Sequence, residues 1–411
     1  MKIMLLTQWF DPEPAFKGLA FARQLIKESF SVEVVTGFPN YPTGKIYPGY
    51  KLHLLQREYI DDVQITRVPL YPSHDSSAFK RILNYTSFGL SSLIYGLFWA
   101  KKPDVIYVYH PPLTTAISAI IIRFFRKVPV VYDIQDMWPD TLAATEMLKN
   151  KKLLALIGRI CLWVYKHADK IVVLSPGFKA LLIQRGVQED KIQVIYNWCH
   201  EDALKSINQT SPLRLSPYKL NILFAGNIGY AQGLDAIVRA AEKLSHLALD
   251  VAFVLLGNGV ALKTLKDKIK AKNLNNIICL PAVPMHEVST YLNAADILLV
   301  HLKDNPLFSV TIPSKTQAYM AIGKPILMAV RGDAAELVKT AECGITATPE
   351  DAENIVSTIL KFIEMSEDER RLMGKKGQEY YFKHLSLDVG VKKFTEQFYS
   401  LNQSTDSAVI F

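Results

Sequence analysis

The chain has 411 residues, more than a single hydrophobic core usually supports, so two domains are expected. Its content of 49% hydrophobic and 21% charged residues excludes a largely disordered protein. The net charge of +8 lies in the first half, because residues 1–200 hold 24 Lys/Arg against 16 Asp/Glu and residues 201–411 hold 23 of each. This fits a phosphorylated substrate or an anionic membrane face, whereas the lack of a basic run with interleaved aromatics argues against nucleic acid.

Strand-like apolar runs alternate with helical patterns along the whole chain, which predicts parallel α/β architecture. The predicted strands are KIMLLT, VEVVTG, QITRVPL, DVIYVY, PVVYDI, KIVVLS and IQVIYN in the first half, then LNILFAG, VAFVLLG, NIICLP, DILLVHL, KPILMAV and GITAT. Their continuous Val/Ile/Leu/Tyr content is typical of strands covered on both faces. We therefore predict two Rossmann-like parallel-sheet domains.

The polar segment NQTSPLRLSPYK separates the two strand series and indicates a linker. We assign residues 1–200 to an N-terminal domain, 201–218 to the linker and 219–384 to a second domain. A helical pattern over residues 385–402 is expected to pack back on the first domain. Open α/β sheets bind ligands at the carboxyl ends of their strands, so a cleft between facing domains is the expected site.

The four cysteines are far apart and form no metal-binding spacing, so we expect buried thiols in a reducing compartment and no metal site. The opening MKIMLLTQWF is too short an apolar run for a secretory signal and has no small-residue cleavage site. We expect a first β-strand and a cytoplasmic protein.

The uncharged segment Ile82–Ala100 approaches the length that spans a bilayer and is bracketed by lysine and arginine. Asn84, Ser87 and Ser91 form a polar stripe on one helix face, which disfavours a membrane span. A buried helix and an interfacial helix with basic ends both remain open. The apolar and basic pattern recurs in residues 116–127, which favours membrane contact.

The stretch TIPSKTQAYMAIGKPIL predicts a helix that follows a loop and ends at a Gly-Lys-Pro sequence. Ser314 is the predicted N-cap, and the backbone N–H groups of Lys315, Thr316 and Gln317 are expected to point outward. The positive end of the helix dipole and the Lys315 charge together favour binding of a phosphate or diphosphate. An ordinary capped helix with a solvated lysine is the alternative.

Two glycine-bearing turns follow predicted strands of the second domain. Gly226, Gly229 and Gly233 lie in AGNIGYAQGLD, and Gly257 and Gly259 lie in LLGNGVALKTL. Glycine permits tight turns and close approach of the backbone to a ligand. Neither turn is a Walker loop, and any Rossmann fold has such glycines, but together with the Ser-Lys helix start they favour a nucleoside diphosphate.

Polar and small residues also follow strands of the first domain. They are Glu13, Lys17 and Gly18 after the first strand, His110 after DVIYVY, and Asp133, Gln135 and Asp136 in VVYDIQDMWPD. A single such residue is usually structural, but several around one cleft indicate a site.

The motifs AGNIGYAQGL, GNG, PSKTQAYMAIGKP, IQDMWPD and FPNYPTG together resemble those of the family-4 retaining glycosyltransferases of the GT-B fold. The resemblance covers nearly the whole chain. It is strongest with the bacterial branch that builds O-antigen, capsule and colanic acid and includes N-acetyl-L-fucosamine transferases. It implies a nucleotide-sugar donor in the second domain and an acceptor in the first.

At some positions that the resemblance matches to functional residues of the family, this sequence departs from the family pattern. An Arg and a Lys that neutralise the donor diphosphate correspond to Asn227 and Gln232, and the paired glutamates correspond to Val310 and Ala318. We hypothesise that Asn227 and Gln232 act as hydrogen-bond donors. The diphosphate would otherwise be held by Lys315, the residues Ser314 to Gln317 and the glycine turns, with Gly18 also assigned to this side.

Glycosyl transfer builds negative charge on the departing diphosphate, so the leaving group must be stabilised. No D-x-D pair for a divalent ion is evident, and we expect Lys315 to take this role without metal or cofactor. Asp136 and His110 are assigned to acceptor orientation and proton handling, and Glu336 to a donor-sugar contact. Glu13, Lys17, Asp133 and Gln135 are assigned to the acceptor side.

The predicted function is transfer of a sugar, with N-acetyl-L-fucosamine as a candidate, from a UDP-linked donor to an undecaprenyl diphosphate-linked saccharide. We expect retention of configuration and peripheral contact with the cytoplasmic face of the inner membrane. A GT-B nucleotide-sugar epimerase and a non-catalytic GT-B scaffold are the alternatives, which substrate assays separate.

Overall fold

The computed structural model describes residues 1–73, 78–144, 147–204 and 213–407. The chain divides into two compact units. Unit 1 contains Met1–Tyr196 and the chain from Gly390 onward, and unit 2 contains Asn197–Val389. The first unit therefore ends four residues before the predicted limit. Of the predicted linker, residues 201–204 form a helical turn in unit 2, and residues 205–212 lie outside the described chain.

The sheet of unit 1 has eight strands among the described residues, in the order β3-β4-β2-β1-β5-β6-β7-β8. They are β1 (Lys2–Leu6), β2 (Ser31–Gly37), β3 (Gln56–Ile60), β4 (Val63–Val68), β5 (Val105–Tyr109), β6 (Val130–Ile134), β7 (Lys170–Val173) and β8 (Ile192–Val194). All neighbours are parallel except β3 and β4.

The helices of unit 1 cover the sheet. They are α1 (Leu19–Lys27), α2 (Ala78–Phe98), α3 (Leu113–Arg126), α4 (Asp140–Ala144), α5 (Lys151–His167) and α6 (Pro176–Gln184). Helix α2 packs on α3, and α3 packs on α5.

Unit 2 has a six-stranded parallel sheet in the order β11-β10-β9-β12-β13-β14. Its strands are β9 (Leu220–Ala225), β10 (Val251–Leu256), β11 (Ile277–Leu280), β12 (Ile297–His301), β13 (Ile326–Ala329) and β14 (Gly344–Thr346). Its helices are α7 (Glu201–Leu204), α8 (Asp235–His246), α9 (Leu262–Ala271), α10 (Met285–Ala294), α11 (Pro306–Ser309), α12 (Ser314–Ile322), α13 (Asp333–Thr340), α14 (Ala352–Glu364) and α15 (Glu367–His384).

The last helix, α16 (Leu387–Ser407), starts two residues after the predicted position and belongs to unit 1 from Gly390 onward. Phe394 stacks edge-on against Phe21 at 5.3 Å and against Tyr107 at 5.4 Å. Phe398 lies 6.1 Å from Phe30. Aromatic packing thus holds this helix on the core of unit 1.

The prediction of two parallel α/β domains is confirmed, and every predicted strand is present. Strand β3 was missed. Its sequence QREYI alternates half-buried and exposed positions, because it is an antiparallel edge strand with one face in solvent. Its Glu58 accepts a 2.6 Å hydrogen bond from the buried Arg67 on β4, which anchors the edge.

In each sheet the strand order reverses at one place, between β1 and β5 in unit 1 and between β9 and β12 in unit 2. The loops that follow strands on either side of such a reversal run in opposite directions and leave a crevice at the carboxyl ends. The two crevices are therefore where candidate residues must be sought, one in each unit.

Helix α2 is amphipathic in an unusual sense, since its polar stripe faces the protein. Asn84 Nδ2 donates to the Tyr71 carbonyl, Ser87 Oγ accepts from the Tyr71 N–H, and Ser91 Oγ donates to the Pro69 carbonyl. The opposite face, including Ile82 and Leu90, is exposed. Of the two alternatives left open by the sequence, the buried helix is therefore wrong. Among the described residues, no helix is both long and apolar enough to cross a membrane.

Candidate active site

Lys315 lies at the start of α12 and reaches the turn after β9. Its Nζ lies 3.5 Å from the ring centroid of Phe224 and donates a 3.4 Å hydrogen bond to Gln232 Oε1. A Cβ atom added to Gly226 would lie 3.5 Å from this Nζ, so the ammonium stands directly beside the turn. Burial lowers the pKa of Lys315 to about 7. An anion at the turn would restore the charged form.

The glycine turns after β9 and β10 pack against each other through their backbones. Gly226 has φ of 133° and Gly257 has φ of 151°, which L side chains rarely adopt. A Cβ on Gly257 would lie 1.9 Å from the Gly226 carbonyl oxygen, and one on Gly259 would lie 2.3 Å from the Ile228 oxygen. Glycine is therefore required for the close approach of the two loops, and this packing accounts for Gly257 and Gly259 without a ligand.

The N-terminus of α12 differs from the prediction in its cap. Pro313 occupies the cap position and Ser314 is the first helical residue, without a side-chain capping bond. The N–H of Thr316 donates to the Pro313 carbonyl at 2.8 Å, so it is not available to a ligand. Among the described residues, the backbone N–H groups of Ser314 and Lys315 have no hydrogen-bond acceptor. These two N–H groups, not those of Thr316, are the ones that an anion can reach.

The side chains of Thr316 and Gln317 point inward. The Thr316 hydroxyl is buried without a hydrogen-bond partner among the described residues. With its amide oriented to satisfy both groups, Gln317 donates to the carbonyls of Pro313 and Ser314. Both side chains are buried, and the Gln317 amide stabilises the first turn of the helix.

Asn227 and Gln232 border the same turn. A Cβ on Gly229 would lie 3.0 Å from Asn227 Nδ2, so the exposed asparagine folds over the glycine turn. Gln232 uses its side-chain oxygen as an acceptor from Lys315, which leaves its amide NH₂ as the donor predicted from the sequence. The left-handed Gly233, with φ of 61°, follows and ends the short 3-10 turn.

His301, at the end of β12, was missed by the sequence reasoning. Glu350 N–H donates to its Nε2 at 3.2 Å, so Nδ1 carries the proton and donates to the Gln232 carbonyl at 2.6 Å. Burial lowers its pKa, which keeps the ring neutral. His301 therefore orients the segment that carries Gln232. Its position at the end of the predicted strand DILLVHL was the available signal.

Tyr319 is a second missed residue. Strand β12 pairs with β9 only at Ile222 and Leu223, so the N–H and carbonyl of Ala225 have no partner on β12, although Ala225 pairs with Leu256 on β10. The buried Tyr319 hydroxyl accepts from this N–H at 2.9 Å and donates to this carbonyl at 3.4 Å. One side chain of α12 thus satisfies the backbone where the sheet opens, immediately before Gly226.

Glu336, the predicted donor-sugar contact, lies on α13 with an exposed side chain paired to Lys339 at 2.9 Å. Its carboxylate is thus engaged by a surface lysine. The glycine before this helix, Gly332, packs against Ser309, where a Cβ would lie 2.0 Å from the carbonyl oxygen.

In unit 1, three residues assigned to the acceptor side contact other residues of the protein. Asp133 accepts hydrogen bonds of 2.6 Å from Tyr107 and from Gln135, and burial raises its pKa. Lys17 is buried 5.4 Å from the Phe394 ring, and burial lowers its pKa to about 8 against the opposing effect of Asp133. Lys17 and Asp133 are therefore buried beneath the carboxyl ends of the strands, and the half-buried Gln135 donates to the Asp133 carboxylate.

Gly18 also has a structural reason. It precedes α1, and the Asp11 carboxylate accepts from the Leu19 N–H at 2.7 Å. A Cβ on Gly18 would lie 2.3 Å from that carboxylate. Because a negative side chain already occupies this helix terminus, it is a poor place for a diphosphate.

Glu13 holds a loop. Its Oε1 accepts 2.7 Å hydrogen bonds from the N–H groups of Asn40 and Tyr41, and its Oε2 accepts from Phe10 N–H at 3.3 Å. Burial raises its pKa to about 7 despite these bonds. Glu13 therefore shapes the segment after β2.

His110 and Asp136 remain as candidates for chemistry. His110 is buried between Tyr132 and Trp138, with ring centroids at 5.8 and 5.3 Å, and its Nδ1 has no hydrogen-bond partner among the described residues. Burial lowers its pKa to about 3, so the ring is neutral. Asp136 is half-buried, and burial raises its pKa. In the part of the chain described, its carboxylate has no ion pair or hydrogen bond.

Comparison with known proteins adds independent evidence. The glycosyl transferase 4-like domain family matches residues 19–198, and the glycosyl transferases group 1 family matches residues 209–380. A putative colanic acid biosynthesis glycosyl transferase of Escherichia coli, WcaI, is 25% identical over 79% of this chain and 82% of that protein. A probable glycosyltransferase of Pseudomonas aeruginosa, WbjE, is 25% identical over 56% of this chain and 58% of that protein.

Solved structures share the fold. HepE of Anabaena in complex with UDP has a TM-score of 0.68 at 16% identity and covers 97% of this chain and 100% of its own. Sucrose-phosphate synthase of Thermosynechococcus elongatus has a TM-score of 0.73 at 14% identity, covering 98% and 100%. The chain is therefore a GT-B glycosyltransferase, with a glycosyl transferase 4-like domain followed by a group 1 glycosyl transferase domain.

Proposed function

We propose that this enzyme transfers a sugar from a UDP-linked donor to a lipid-linked saccharide during synthesis of a bacterial surface polysaccharide, with retention of configuration. The observation that carries the donor half is Lys315, whose ammonium stands beside the Gly226 turn. The similarity to WcaI, a putative colanic acid biosynthesis glycosyl transferase, supports the choice of a surface polysaccharide. N-acetyl-L-fucosamine is the candidate sugar, on the resemblance in sequence.

In this proposal unit 2 stabilises the leaving diphosphate. Lys315 supplies the charge, the N–H groups of Ser314 and Lys315 supply donors at the positive end of α12, and Asn227 and Gln232 supply amides beside the turn. Negative charge that develops on the departing diphosphate would strengthen each of these interactions in the transition state. The protein thereby provides positive charge at the leaving group from its own side chains.

Unit 1 would handle the acceptor. Asp136 is half-buried, its carboxylate has no hydrogen bond in the described chain, and it is the group that can accept a proton from an acceptor hydroxyl. His110 is neutral because its pKa lies near 3, so it contributes a hydrogen bond and not a charge. Its orphan Nδ1 gives it the capacity to orient a ligand or a bound water.

Membrane contact is supported by a broad apolar face on α2, α3 and α5, which we call the apolar face of unit 1. Its exposed members are Phe79, Ile82, Leu83, Leu90, Ile94, Phe98, Trp99, Phe124, Phe125, Leu153, Leu156, Leu162 and Trp163. Exposed lysines border it at Lys101, Lys102 and Lys127. Large apolar side chains rimmed by cations fit peripheral attachment to anionic lipid on the cytoplasmic face of the inner membrane.

Two measurements test this function. Thermal-shift screening against a panel of nucleotide sugars should raise the melting temperature for a UDP-linked donor, because a ligand that binds only native protein stabilises it. No shift with any nucleotide sugar would contradict the donor assignment.

Sedimentation with phosphatidylglycerol vesicles tests the membrane claim. Leu90→Glu, on α2, should reduce binding at least about tenfold, because a charge replaces a side chain that enters the lipid interface. Leu372→Glu on α15 is the matched control, since Leu372 is 57% exposed and Leu90 is 60% exposed. Equal sedimentation of both variants, or absence of the wild type from vesicles at low salt, would remove the claim.

A further inference from the structure

Three aromatic side chains meet at the carboxyl ends of the unit 1 strands. Trp9 follows β1, Tyr41 follows β2, and Tyr85 lies on α2. The Trp9 and Tyr41 ring centroids are 4.9 Å apart with a tilt of 34°, and Trp9 meets Tyr85 edge-on at 6.5 Å. All three are half-buried, so part of each ring faces solvent. We call Trp9, Tyr41 and Tyr85 the aromatic trio.

A buried polar network lies under the trio, and each of its amide residues directly precedes one aromatic in sequence. Gln8 precedes Trp9, Asn40 precedes Tyr41, and Asn84 precedes Tyr85. These three amides are at most 2% exposed.

Gln8 Nε2 donates to Asn84 Oδ1 at 2.6 Å, and Asn84 Nδ2 lies 3.5 Å from Asn40 Oδ1. The buried Glu13 carboxylate adds 2.7 Å bonds to the N–H groups of Asn40 and Tyr41. These buried hydrogen bonds hold all three elements in one arrangement, so the rings are ordered before any ligand arrives, while Gln8 Oε1 has no partner among the described residues.

An acid with an unpaired carboxylate lies at the same edge of the sheet. Asp136 follows the carboxyl end of β6, two strands from β1, whose carboxyl end precedes Trp9. Burial raises the pKa of Tyr85, and the charge of Arg81 opposes this effect. The surface combines three aromatic rings with a carboxylate whose oxygens have no partner in the described chain.

On the basis of the proposed function, we propose that the aromatic trio is the subsite for the acceptor's pyranose ring, with Asp136 accepting a hydrogen bond from one of its hydroxyls. One face of a pyranose carries mainly C–H groups, which pack on an aromatic ring by dispersion, while the hydroxyls at its edge need polar partners. Helix α2, which carries Tyr85, also exposes Ile82 and Phe79. Phe79 lies about 9 Å from Tyr85 along the helix axis. The subsite therefore suits a glycoside with an aliphatic tail.

Saturation-transfer NMR tests this subsite with two probes below their micellar concentrations. Octyl β-D-glucopyranoside carries a pyranose, and tetraethylene glycol monooctyl ether carries the same alkyl chain without a sugar. We expect saturation of the sugar-ring protons in the wild type, and a loss of at least about threefold in Trp9→Leu and in Tyr85→Leu. Tyr59→Leu is the matched control, because Tyr59 is 71% exposed on β3 and lies outside both the trio and the apolar face of unit 1.

Trp9→Phe keeps a ring and should retain most of the effect, which separates stacking from misfolding. Circular dichroism and UDP binding are measured on the same samples. Three results would overturn the subsite: unchanged sugar-ring saturation in Trp9→Leu, no sugar-ring saturation in the wild type, or saturation of the ether's glycol protons equal to that of the sugar-ring protons. If UDP fails to bind the wild type, the donor assignment fails instead, whatever the trio does.

Discussion

Replacing Lys315 with Met removes the charge beside the glycine turn while keeping a side chain of similar length. A cation and a phosphate about 4 Å apart attract by about 4 kcal/mol at an effective dielectric constant near 20. Desolvation offsets much of this, and hydrogen bonds to charged groups contribute about 1.5–3 kcal/mol net. Because 1.4 kcal/mol corresponds to tenfold in affinity, UDP should bind the variant about 10- to 150-fold more weakly.

Isothermal titration calorimetry at pH 6.5 measures this effect, since Lys315, with a pKa of about 7, is then mostly charged. UMP should lose less affinity than UDP, because it presents one phosphate fewer to the ammonium. Lys361→Met on α14 removes an exposed lysine and controls for net charge. If Lys315→Met bound UDP as tightly as the wild type, the diphosphate assignment would be refuted.

Three further predictions concern protonation, the open sheet and the acid. The pKa of Lys315 lies near 7 in the free protein, so a nucleotide sugar should bind with uptake of a proton above that pH, and its affinity should fall as pH rises from 7 to 9. Calorimetry in buffers of different ionisation enthalpy measures the proton uptake, and no uptake at pH 8 would contradict the prediction. Tyr319→Phe leaves the N–H and carbonyl of Ala225 without the tyrosine hydroxyl, at a cost of about 1–3 kcal/mol of folding stability, so the melting temperature should fall, and UDP affinity should fall more than UMP affinity. A lower melting temperature with an unchanged ratio of UDP to UMP affinity would mean that the tyrosine is only structural. Asp136→Asn should lower the rate of sugar transfer by about 10²–10⁴ and leave UDP affinity unchanged, as expected for a proton acceptor on the acceptor side; a variant with full transfer activity would exclude that role.

The parallel sheets could be predicted from the sequence because buried strands carry continuous runs of branched and aromatic residues. Strand β3 could not, since its alternation of polar and half-buried residues is also typical of a loop. The polar stripe of α2 was visible as a pattern, but which face meets the protein depends on carbonyls of the Pro69–Tyr71 segment, far away in sequence. Periodicity alone does not tell an inward polar face from an outward one.

Within the site, the anion-binding features were easier to predict from the sequence than the contacts of the polar residues in unit 1. Lys315 and Gly226 are adjacent to recognisable turns, and the structure brings them together. The burial of Lys17 and Asp133, which we assigned to the acceptor side, could not be predicted, because polar residues at strand ends can lie beneath the surface as readily as on it. The role of Tyr319 could not be predicted, because its hydroxyl bonds to backbone groups where two strands separate, and the sequence does not show which strand pair separates.

The central claim is that a UDP-linked sugar, held at the Gly226 turn, is transferred to a lipid-linked saccharide. Incubation of the enzyme with a labelled nucleotide sugar and bacterial membrane lipid extract measures it directly. The account predicts that label moves into the organic-solvent phase in the wild type, with the anomeric configuration of the donor kept, and that Lys315→Met abolishes most of this transfer. Release of free epimerised nucleotide sugar, or transfer that persists in Lys315→Met, would contradict it.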